Sequence, residues 1–352
     1  MTFDRELGTR LLAWYDINAR ILPWRIGPVE RRKGAVSDPY SIWVSEIMLQ
    51  QTTTATVKNY FPAFIARWPT IFDLAAAEDA DVLAEWAGLG YYARARRLIE
   101  CARLIVDRKG GVFPKEREEL LSLPGIGPYT AAAIAAIAFD RPETVVDGNV
   151  ERIMARLHVV RKPLAEAKKE LREYAAKLTP SRRPGDYAQA VMDLGATVCR
   201  PLNPACRRCP WQNACLAYSE GLQNEIPPRL AKSPKPVRRG TAYVGMRKDG
   251  AWLLERRPGN GLLGGMLGWP GSKWNGDEDG GPPCDGAWTD TGEIIRHIFT
   301  HFELRLRIVA GMLPEDSKPE KGNFISKTDF NPAELPAVMR KAYNAAAPYV
   351  SN

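Results

Sequence analysis

Four of the six cysteines lie within seventeen residues, at Cys199, Cys206, Cys209 and Cys215, with the spacing C-x6-C-x2-C-x5-C. Thiols this close in a chain with no secretory signal favour a metal centre over disulfides. Structural zinc usually has paired short knuckles, whereas a single C-x2-C inside wider arms is more typical of a four-cysteine [4Fe–4S] cluster. The spacing therefore predicts an iron–sulfur cluster, with zinc and unliganded thiols as the alternatives.

A second candidate for chemistry is Glu46. Asp38 and Pro39 form a helix-start signal, which places Glu46 in the middle of the helix that follows. Its neighbours at i−4, i−3 and i+3 are Ile42, Trp43 and Leu49, all apolar, so the carboxyl is expected on the buried side. A buried carboxyl without a partner has a raised pKa and can act as a general acid. The alternative is an ion pair with an arginine.

Two glycines and an aspartate lie further along the chain. Gly125 and Gly127 fall in LPGIGPYTA (123–131), between two helical stretches, where backbone N–H groups at a helix start can bind phosphate. The alternative for this turn is an ordinary helix–helix connection. Asp147 lies in VVDGNV (145–150), just before a helix, where an N-cap is the ordinary role for aspartate. A rigidly held carboxylate at a helix mouth can also face a substrate.

The surrounding pattern predicts which elements hold these residues. Alanine-rich amphipathic stretches at 72–85, 93–108, 131–139 and 164–177 indicate a mainly α region. The segment 224–240 has four prolines and no periodicity, as expected of a linker. Short β-like runs separated by glycine-rich turns follow it. We therefore expect a helical region over 1–223, a linker over 224–240 and an α+β domain over 241–352.

Charge divides the chain in the same place. The chain has 352 residues and a formal charge of +8; residues 1–240 carry 36 basic and 27 acidic side chains, and residues 241–352 carry 13 and 14. A basic excess in the helical region suits a polyanionic partner such as nucleic acid. The alternative is that the excess charge only aids solubility. Composition is that of a globular protein, and no apolar run is long enough for a membrane span. The acidic N-terminus is unlike a signal or transit peptide, so we expect a cytoplasmic protein.

Together, SEIMLQQT (45–52), LPGIGPYTA, VVDGNV and the four-cysteine loop resemble the iron–sulfur branch of the helix-hairpin-helix DNA glycosylases. Within that superfamily the chain resembles the MutY family of adenine DNA glycosylases. The resemblance implies two helical subdomains with a [4Fe–4S] loop at 199–215, plus a C-terminal Nudix-like domain. It implies a monomeric enzyme that binds double-stranded DNA and excises adenine mispaired with 8-oxoguanine or guanine in base-excision repair, by hydrolysing the N-glycosidic bond of a flipped nucleotide.

The resemblance also assigns roles to residues. Glu46 would protonate adenine at N7 and Asp147 would stabilise the oxocarbenium-like sugar, with Tyr129 and Asn149 orienting the site. Three further sets follow: Arg20, Trp24, Arg25 and Asp193 for the adenine pocket; Gln51, Thr52, Leu89, Tyr91, Gly125 and Gly127 for DNA contacts; and Phe299, Thr300 and His301 for recognition of 8-oxoguanine.

Some features separate the MutY family from other glycosylases of the superfamily, and others separate this chain from the family pattern. Relatives that process pyrimidine lesions carry a nucleophilic lysine at the position of Tyr129, so the tyrosine implies a monofunctional glycosylase. The C-terminal domain has no REXXEE run and is expected to bind without hydrolysing. Thr300 stands where the family has serine, and the loop 26–37 is longer than usual and carries three basic residues. The remaining alternatives are a bifunctional pyrimidine-lesion glycosylase/lyase and a metal-containing DNA-binding or redox-sensing module without catalysis.

Overall fold

The computed structural model describes residues 2–228, 233–259, 261–274 and 280–350. The chain divides into two compact units. The first comprises Met1–Asp79 with Arg96–Ala231, and the second comprises Ala80–Ala95 with Lys232–Asn352. In the described part of the chain, no helix is both long enough and apolar enough to cross a membrane.

Helices form nearly all of the regular structure before residue 220. They are α1 (Thr2–Asn18), α2 (Pro28–Arg32), α3 (Pro39–Leu49), α4 (Thr54–Arg67), α5 (Ile71–Ala76), α6 (Asp79–Glu85), α7 (Ala93–Lys109), α8 (Arg117–Leu121), α9 (Pro128–Phe139), α10 (Gly148–Leu157), α11 (Leu164–Leu178), α12 (Pro184–Thr197) and α13 (Leu216–Ser219).

Local sequence explains where the central helices begin. The Asp38 side chain caps α3 by accepting the backbone N–H groups of Tyr40 and Ser41, and Pro39 occupies the first turn, as the sequence predicts. Helix α9 is alanine-rich and buried along its whole length from Thr130 to Ala138. Small side chains let α3 and α12 pack closely against it, so α9 forms the centre of the first unit.

The second unit is built on a twisted mixed sheet covered by a helix. Its elements are β1 (Val237–Arg247), β2 (Trp252–Arg256), β3 (Leu267–Gly268), β4 (Ala287–Ile298), β5 (Glu303–Leu313), β6 (Asn323–Ile325) and α14 (Ala337–Val350). The strand order is β3-β2-β1-β5-β4, with β6 paired to β2. Strand β1 runs parallel to β5, and β4 pairs antiparallel with β5 along the open edge. Leucine and isoleucine side chains of β5 pack under α14 in the main core.

The structure differs from the sequence-based expectation in three places. The stretch 72–85 forms two short helices, because Ala77 adopts an extended conformation and ends α5. Strand β1 begins at Val237, inside the predicted linker, because residues 237–240 pair with β5. Strand β4 was not predicted, since most of its side chains are exposed and the buried alternation that marks a strand is weak.

The long loop 26–37 is also held in place. Arg31 donates to the Ser37 hydroxyl and to the backbone carbonyl of Ile137 at the end of α9, and it lies 3.6 Å from a carboxylate oxygen of Asp186. Arg32 pairs with Asp16 at 2.8 Å, whereas Lys33 is exposed. Of the three bases that the sequence left between phosphate contact and solvent, two form ion pairs within the first unit.

Candidate active site

A cavity of about 340 Å³ lies in the first unit, within the usual size range of small-ligand sites. Its walls come from α3 and the turn after it, from the starts of α9 and α10, from α12, and from the segment after α1. The lining residues are Arg20, Leu22, Trp24, Arg25, Ile42, Ser45, Glu46, Leu49, Gln50, Gln51, Thr52, Thr54, Tyr129, Ile137, Asp147, Asn149, Gln189, Met192 and Ala196. Nine of the residues predicted from sequence therefore meet in one cavity.

Glu46 is the most deeply buried acid of this cavity, with 5% of its surface exposed. Its Oε2 atom has no hydrogen-bond partner among the described residues. Burial raises the pKa of the Glu46 carboxyl to about 7, although the Tyr129 hydroxyl and the Arg25 guanidinium act to lower it. The side chain therefore exchanges protons near neutral pH, which is the range that a general acid requires.

Asp147 is partly buried, and each of its carboxylate oxygens accepts a hydrogen bond. One oxygen accepts the backbone N–H of Val150 at 2.8 Å and so caps α10, whereas the other accepts the Asn149 side-chain amide at 2.7 Å. Asp147, Asn149 and Tyr129 all line the cavity. The Tyr129 hydroxyl lies 3.3 Å from the sulfur of Met192, and burial keeps its pKa well above the ordinary value, so it stays protonated.

The arginines of the cavity are fixed by a buried carboxylate. Asp193 is fully buried and does not line the cavity itself. Its two oxygens accept Arg20 Nε at 2.6 Å and Arg25 at 2.8 and 2.9 Å, as well as the Arg20 backbone N–H. Trp24 lies between the two arginines in sequence and packs edge-on against Phe61. Asp193 thus holds Arg20 and Arg25, two of the residues that were predicted for the adenine pocket.

Sequence analysis missed two residues of this region. Gln189 is 1% exposed and lines the cavity, and its Oε1 atom has no partner within the described part of the chain. Arg152 donates to the Asn149 side-chain oxygen at 2.9 Å and to the backbone carbonyls of Gly195 and Cys199 at 2.8 and 2.9 Å. The Gln189 acceptor faces a cavity built from elements far apart in the chain, and the Arg152 contacts to Gly195 and Cys199 span 43 and 47 positions. A single sequence therefore contains no spacing signal for either residue.

The four clustered cysteines are free and partly buried. Burial, together with the neighbouring cysteine side chains, raises the pKa of the Cys209 thiol to about 12. Arg156 on α10 donates to the Cys199 sulfur at 3.2 Å. Among the described residues, no group of three or more His, Cys, Asp or Glu side chains is arranged to hold a metal ion. Cys101 and Cys284 are buried elsewhere.

The predicted hairpin connects α8 to α9. Gly127 is the N-cap of α9 and Pro128 occupies its first turn, so the N–H groups of this turn receive no side-chain cap. Gly125 has a positive φ of 77°, and a Cβ atom there would lie 2.9 Å from Cβ of Arg97. Gln51 also has a positive φ, of 59°, in the turn after α3, and Thr52 follows it at the rim of the cavity.

The remaining predicted residues lie in the second unit. Leu89 is buried and Tyr91 is about half exposed, with a φ of 49°. The Tyr91 hydroxyl makes a hydrogen bond with the hydroxyl of Thr300, in the exposed turn between β4 and β5.

Next to Thr300, the Phe299 ring stacks on Phe302 with 4.8 Å between ring centroids, and the Phe299 backbone carbonyl accepts the Lys235 ammonium at 2.7 Å. His301, on the other side of Thr300, is exposed. The structure therefore brings Tyr91 together with this turn and places neither in the cavity.

Comparison with known proteins identifies two family matches and several similar proteins. Residues 44–181 match the HhH-GPD superfamily base excision DNA repair protein family, and residues 241–345 match the NUDIX domain family. The chain is 33% identical to adenine DNA glycosylase of Homo sapiens, over 95% of this chain and 72% of the human protein. It is 41% identical to adenine DNA glycosylase of Mycobacterium tuberculosis, over 67% of this chain and 73% of that protein.

A solved structure of a thermostable thymine-DNA glycosylase superposes with a TM-score of 0.54 and 28% identity. The superposition covers 62% of this chain and 98% of that one. Together with the two family matches, it confirms the predicted fold class: a helical helix-hairpin-helix region followed by a C-terminal Nudix domain with a β-sheet.

Proposed function

The chain belongs to the adenine DNA glycosylase family and is a DNA glycosylase of base-excision repair, and we propose that its substrate is adenine mispaired with 8-oxoguanine or guanine. The observation that carries the proposal is Glu46. Its carboxyl has an unpartnered oxygen and a pKa of about 7 in a cavity large enough for one flipped base. The resemblance of SEIMLQQT to the MutY family adds to this support.

In this proposal Glu46 donates its proton to N7 of the extruded adenine and makes it a better leaving group. Gln189 Oε1 accepts a hydrogen bond from the exocyclic amine, because it is a buried acceptor that otherwise lacks a partner among the described residues. Arg20 and Arg25, held by Asp193, form the rest of the polar wall, with Trp24 next to them.

Asp147 would then face the sugar as positive charge develops at its anomeric carbon. Capping α10 and accepting from Asn149 fix the direction of both carboxylate oxygens before the substrate arrives. Tyr129 lies at the start of α9 on the same cavity. A tyrosine cannot form a Schiff base with the sugar, which supports hydrolysis over strand cleavage.

We propose that the base opposite adenine is read by Phe299, Thr300 and His301. Support comes from the resemblance of this turn to the Phe-Ser-His turn of the family and from its exposure between β4 and β5. Leu89 and Tyr91 would contact DNA beside it, and Gln51 and Thr52 would do so at the cavity rim. Gly125 and Gly127 would bind phosphate through backbone N–H groups.

A single-turnover glycosylase assay tests the substrate. We expect adenine release from 8-oxoguanine:adenine and guanine:adenine duplexes, and no release of thymine glycol from a matched duplex. Without heating or alkali, the product strand should remain intact. A covalent DNA adduct trapped by borohydride, or faster release of thymine glycol than of adenine, would establish the bifunctional alternative and refute the proposal.

We also propose that Cys199, Cys206, Cys209 and Cys215 bind a [4Fe–4S] cluster. Four free thiols with a single C-x2-C fit one thiolate per iron, and such a cluster would cross-link the loop over 199–215. Purified protein should contain about four irons per chain and show broad visible absorption. One zinc per chain with no iron would refute the cluster and support the zinc alternative.

Three further proposals come from the sequence. We propose domain boundaries of 1–223, 224–240 and 241–352, a monomeric state and a cytoplasmic location. Sedimentation equilibrium measures the monomeric state directly. Limited proteolysis tests the boundaries, with the first cleavage expected between residues 224 and 236, ahead of β1.

A further inference from the structure

One half of the outer sheet face in the second unit is uncovered. On β5, residues 304, 306 and 308 point into the core under α14, so residues 303, 305 and 307 point to the opposite face. Further along, that face is covered by a small cluster that includes Leu253, Leu313 and Trp288. The part from 303 to 307, nearest the Phe299-Thr300-His301 turn, has no such cover among the described residues, and Arg305 and Arg307 are about half exposed there.

Strand register places four arginines on this bare half. Arg239 of β1, Arg305 of β5 and Arg296 of β4 lie directly opposite one another in a row across three strands. Arg307 lies in the next row, opposite Ile294. Directly paired residues share a face, so the row places the three arginine Cα atoms within about 10 Å of one another. We call Arg239, Arg296, Arg305 and Arg307 the arginine face.

The carboxylates on this face do not balance the arginines. Glu303 accepts from Arg296 at 2.6 Å and from Arg305 at 3.0 Å, and Asp290 pairs with Arg307 at 2.9 Å. In the row of Arg239, Arg296 and Arg305, one carboxylate therefore faces three guanidinium groups within the described sheet, although the domain as a whole is nearly neutral. Arg296 keeps 67% of its side chain exposed despite its ion pair, so its remaining N–H donors point to solvent.

We propose that the arginine face binds the sugar–phosphate backbone of the duplex that flanks the lesion. This inference rests on the proposed function, because it takes the turn at Phe299, Thr300 and His301 as the lesion reader. Arg296 precedes Phe299 by three residues, which is about 10 Å along a strand. A duplex held at the turn therefore has backbone within reach of the face. Guanidinium groups suit phosphate because their N–H donors pair bidentately with its oxygens.

The apolar residues of this half are consistent with the same occupant. Ile294 and Ile298 are 63% and 61% exposed on the open edge strand. Set between arginines, they can pack on deoxyribose while the guanidinium groups bind phosphate. Contacts of this kind carry no sequence information, so they would add affinity on any duplex and leave base recognition to the turn.

The test is a double variant, Arg239→Gln with Arg305→Gln, which leaves Glu303 paired with Arg296. The matched control is Lys318→Gln with Lys327→Gln, two exposed lysines in the loops that follow β5 and β6. Fluorescence anisotropy measures the Kd for an undamaged duplex and for 8-oxoguanine opposite a non-cleavable adenine analogue, from 50 to 200 mM salt. Single-turnover excision at saturating enzyme measures chemistry.

We expect the arginine variant to bind both duplexes more weakly by the same factor, roughly 5- to 20-fold in Kd. The single-turnover excision rate at saturating enzyme should be unchanged. The slope of log Kd against log salt should fall by about 0.9 for each phosphate that the variant no longer neutralises. Arg239→Lys with Arg305→Lys should restore most of the affinity, which separates loss of charge from loss of fold. The lysine control should leave Kd and slope unchanged.

Three results would overturn the proposal. The arginine variant could match the lysine control in Kd and slope, it could weaken only the 8-oxoguanine duplex, or it could dissociate a dimer seen for wild type by sedimentation. Each outcome is separable from the proposed function. If the enzyme excises adenine opposite 8-oxoguanine and its salt slope is unchanged by the arginine substitutions, only the arginine-face proposal is refuted and the proposed function stands.

Discussion

Asp193 in the first unit and Glu303 in the second unit each hold a pair of arginines, but their surroundings differ. Asp193 is fully buried and its partners Arg20 and Arg25 are 26% and 8% exposed, whereas Glu303 holds Arg296 and Arg305 at 67% and 47% exposure. Where the arginines are buried, the carboxylate satisfies their donors and fixes a cavity wall. Where they are exposed, it only orients guanidinium groups that keep donors for another partner. The same contact therefore shapes a pocket in one unit and presents charge in the other.

The largest expected effect is at Glu46, the buried acid in the cavity that Arg20 and Arg25 also line. Glu46→Gln keeps the shape of the side chain but removes the transferable proton. We expect adenine excision to fall by about 10³-fold under single-turnover conditions, within the range typical of a lost general acid, with duplex Kd unchanged. Glu100→Gln, on an exposed side chain of α7, is the control. Near wild-type excision by the Glu46 variant would remove its role as the acid.

The two carboxylates can be compared directly by neutralising each one. Asp193→Asn leaves Arg20 and Arg25 without a counter-charge in a buried site, and we expect it to lower the free energy of unfolding by about 3–5 kcal/mol. Glu303→Gln leaves its arginines in water, so unfolding should stay close to that of wild type. Urea titration measures both. Equal losses would show that burial does not separate the two contacts.

Glu46 also predicts a pH dependence in which stability and chemistry share one group. Its pKa is about 7 in the folded chain and 4.5 in the unfolded chain, so folding favours the protonated form. The contribution is complete below pH 4.5 and is lost as pH rises through 7, by up to about 3 kcal/mol.

Two measurements check this dependence. Glu46→Gln should remove this part of the decline in unfolding free energy between pH 5 and 8, and so be more stable than wild type at pH 8. Single-turnover excision by wild type should fall about tenfold per pH unit above 7, because only the protonated acid is active. A flat rate from pH 6 to 9 would contradict the assignment.

The sequence alone predicted different amounts of the two units. Glu46 was singled out by a local pattern, because Ile42, Trp43 and Leu49 surround it on its helix. The helix start at Asp147 indicated only an N-cap, and its role toward the sugar was implied by the resemblance. Gln189 was missed because its free acceptor faces a cavity made by elements far apart in the chain. A pattern of spacing reports on one helix at a time, and it cannot show which helices meet.

In the second unit the missing information was about pairing. Nothing local indicates that residues 80–95 belong with the C-terminal half of the chain, or that Tyr91 meets Thr300 across 209 positions. The arginines of β1, β4 and β5 are scattered in sequence and look like ordinary solvated charges. Only the strand register places three of them in a row, so the arginine face was beyond single-sequence reasoning.

The smallest expected effect concerns Thr300, where this chain departs from the serine of its relatives. Thr300→Val removes the hydroxyl and keeps the shape, so it should lower the preference for 8-oxoguanine over guanine opposite adenine by about three- to tenfold, as expected for one lost hydrogen bond. Thr300→Ser should keep the preference. Tyr91→Phe removes the partner hydroxyl, and a loss equal to that of Thr300→Val would assign the effect to their mutual bond. If only the valine variant loses the preference, the Thr300 hydroxyl itself contacts the lesion. The second unit would then distinguish 8-oxoguanine from guanine through that one hydroxyl group.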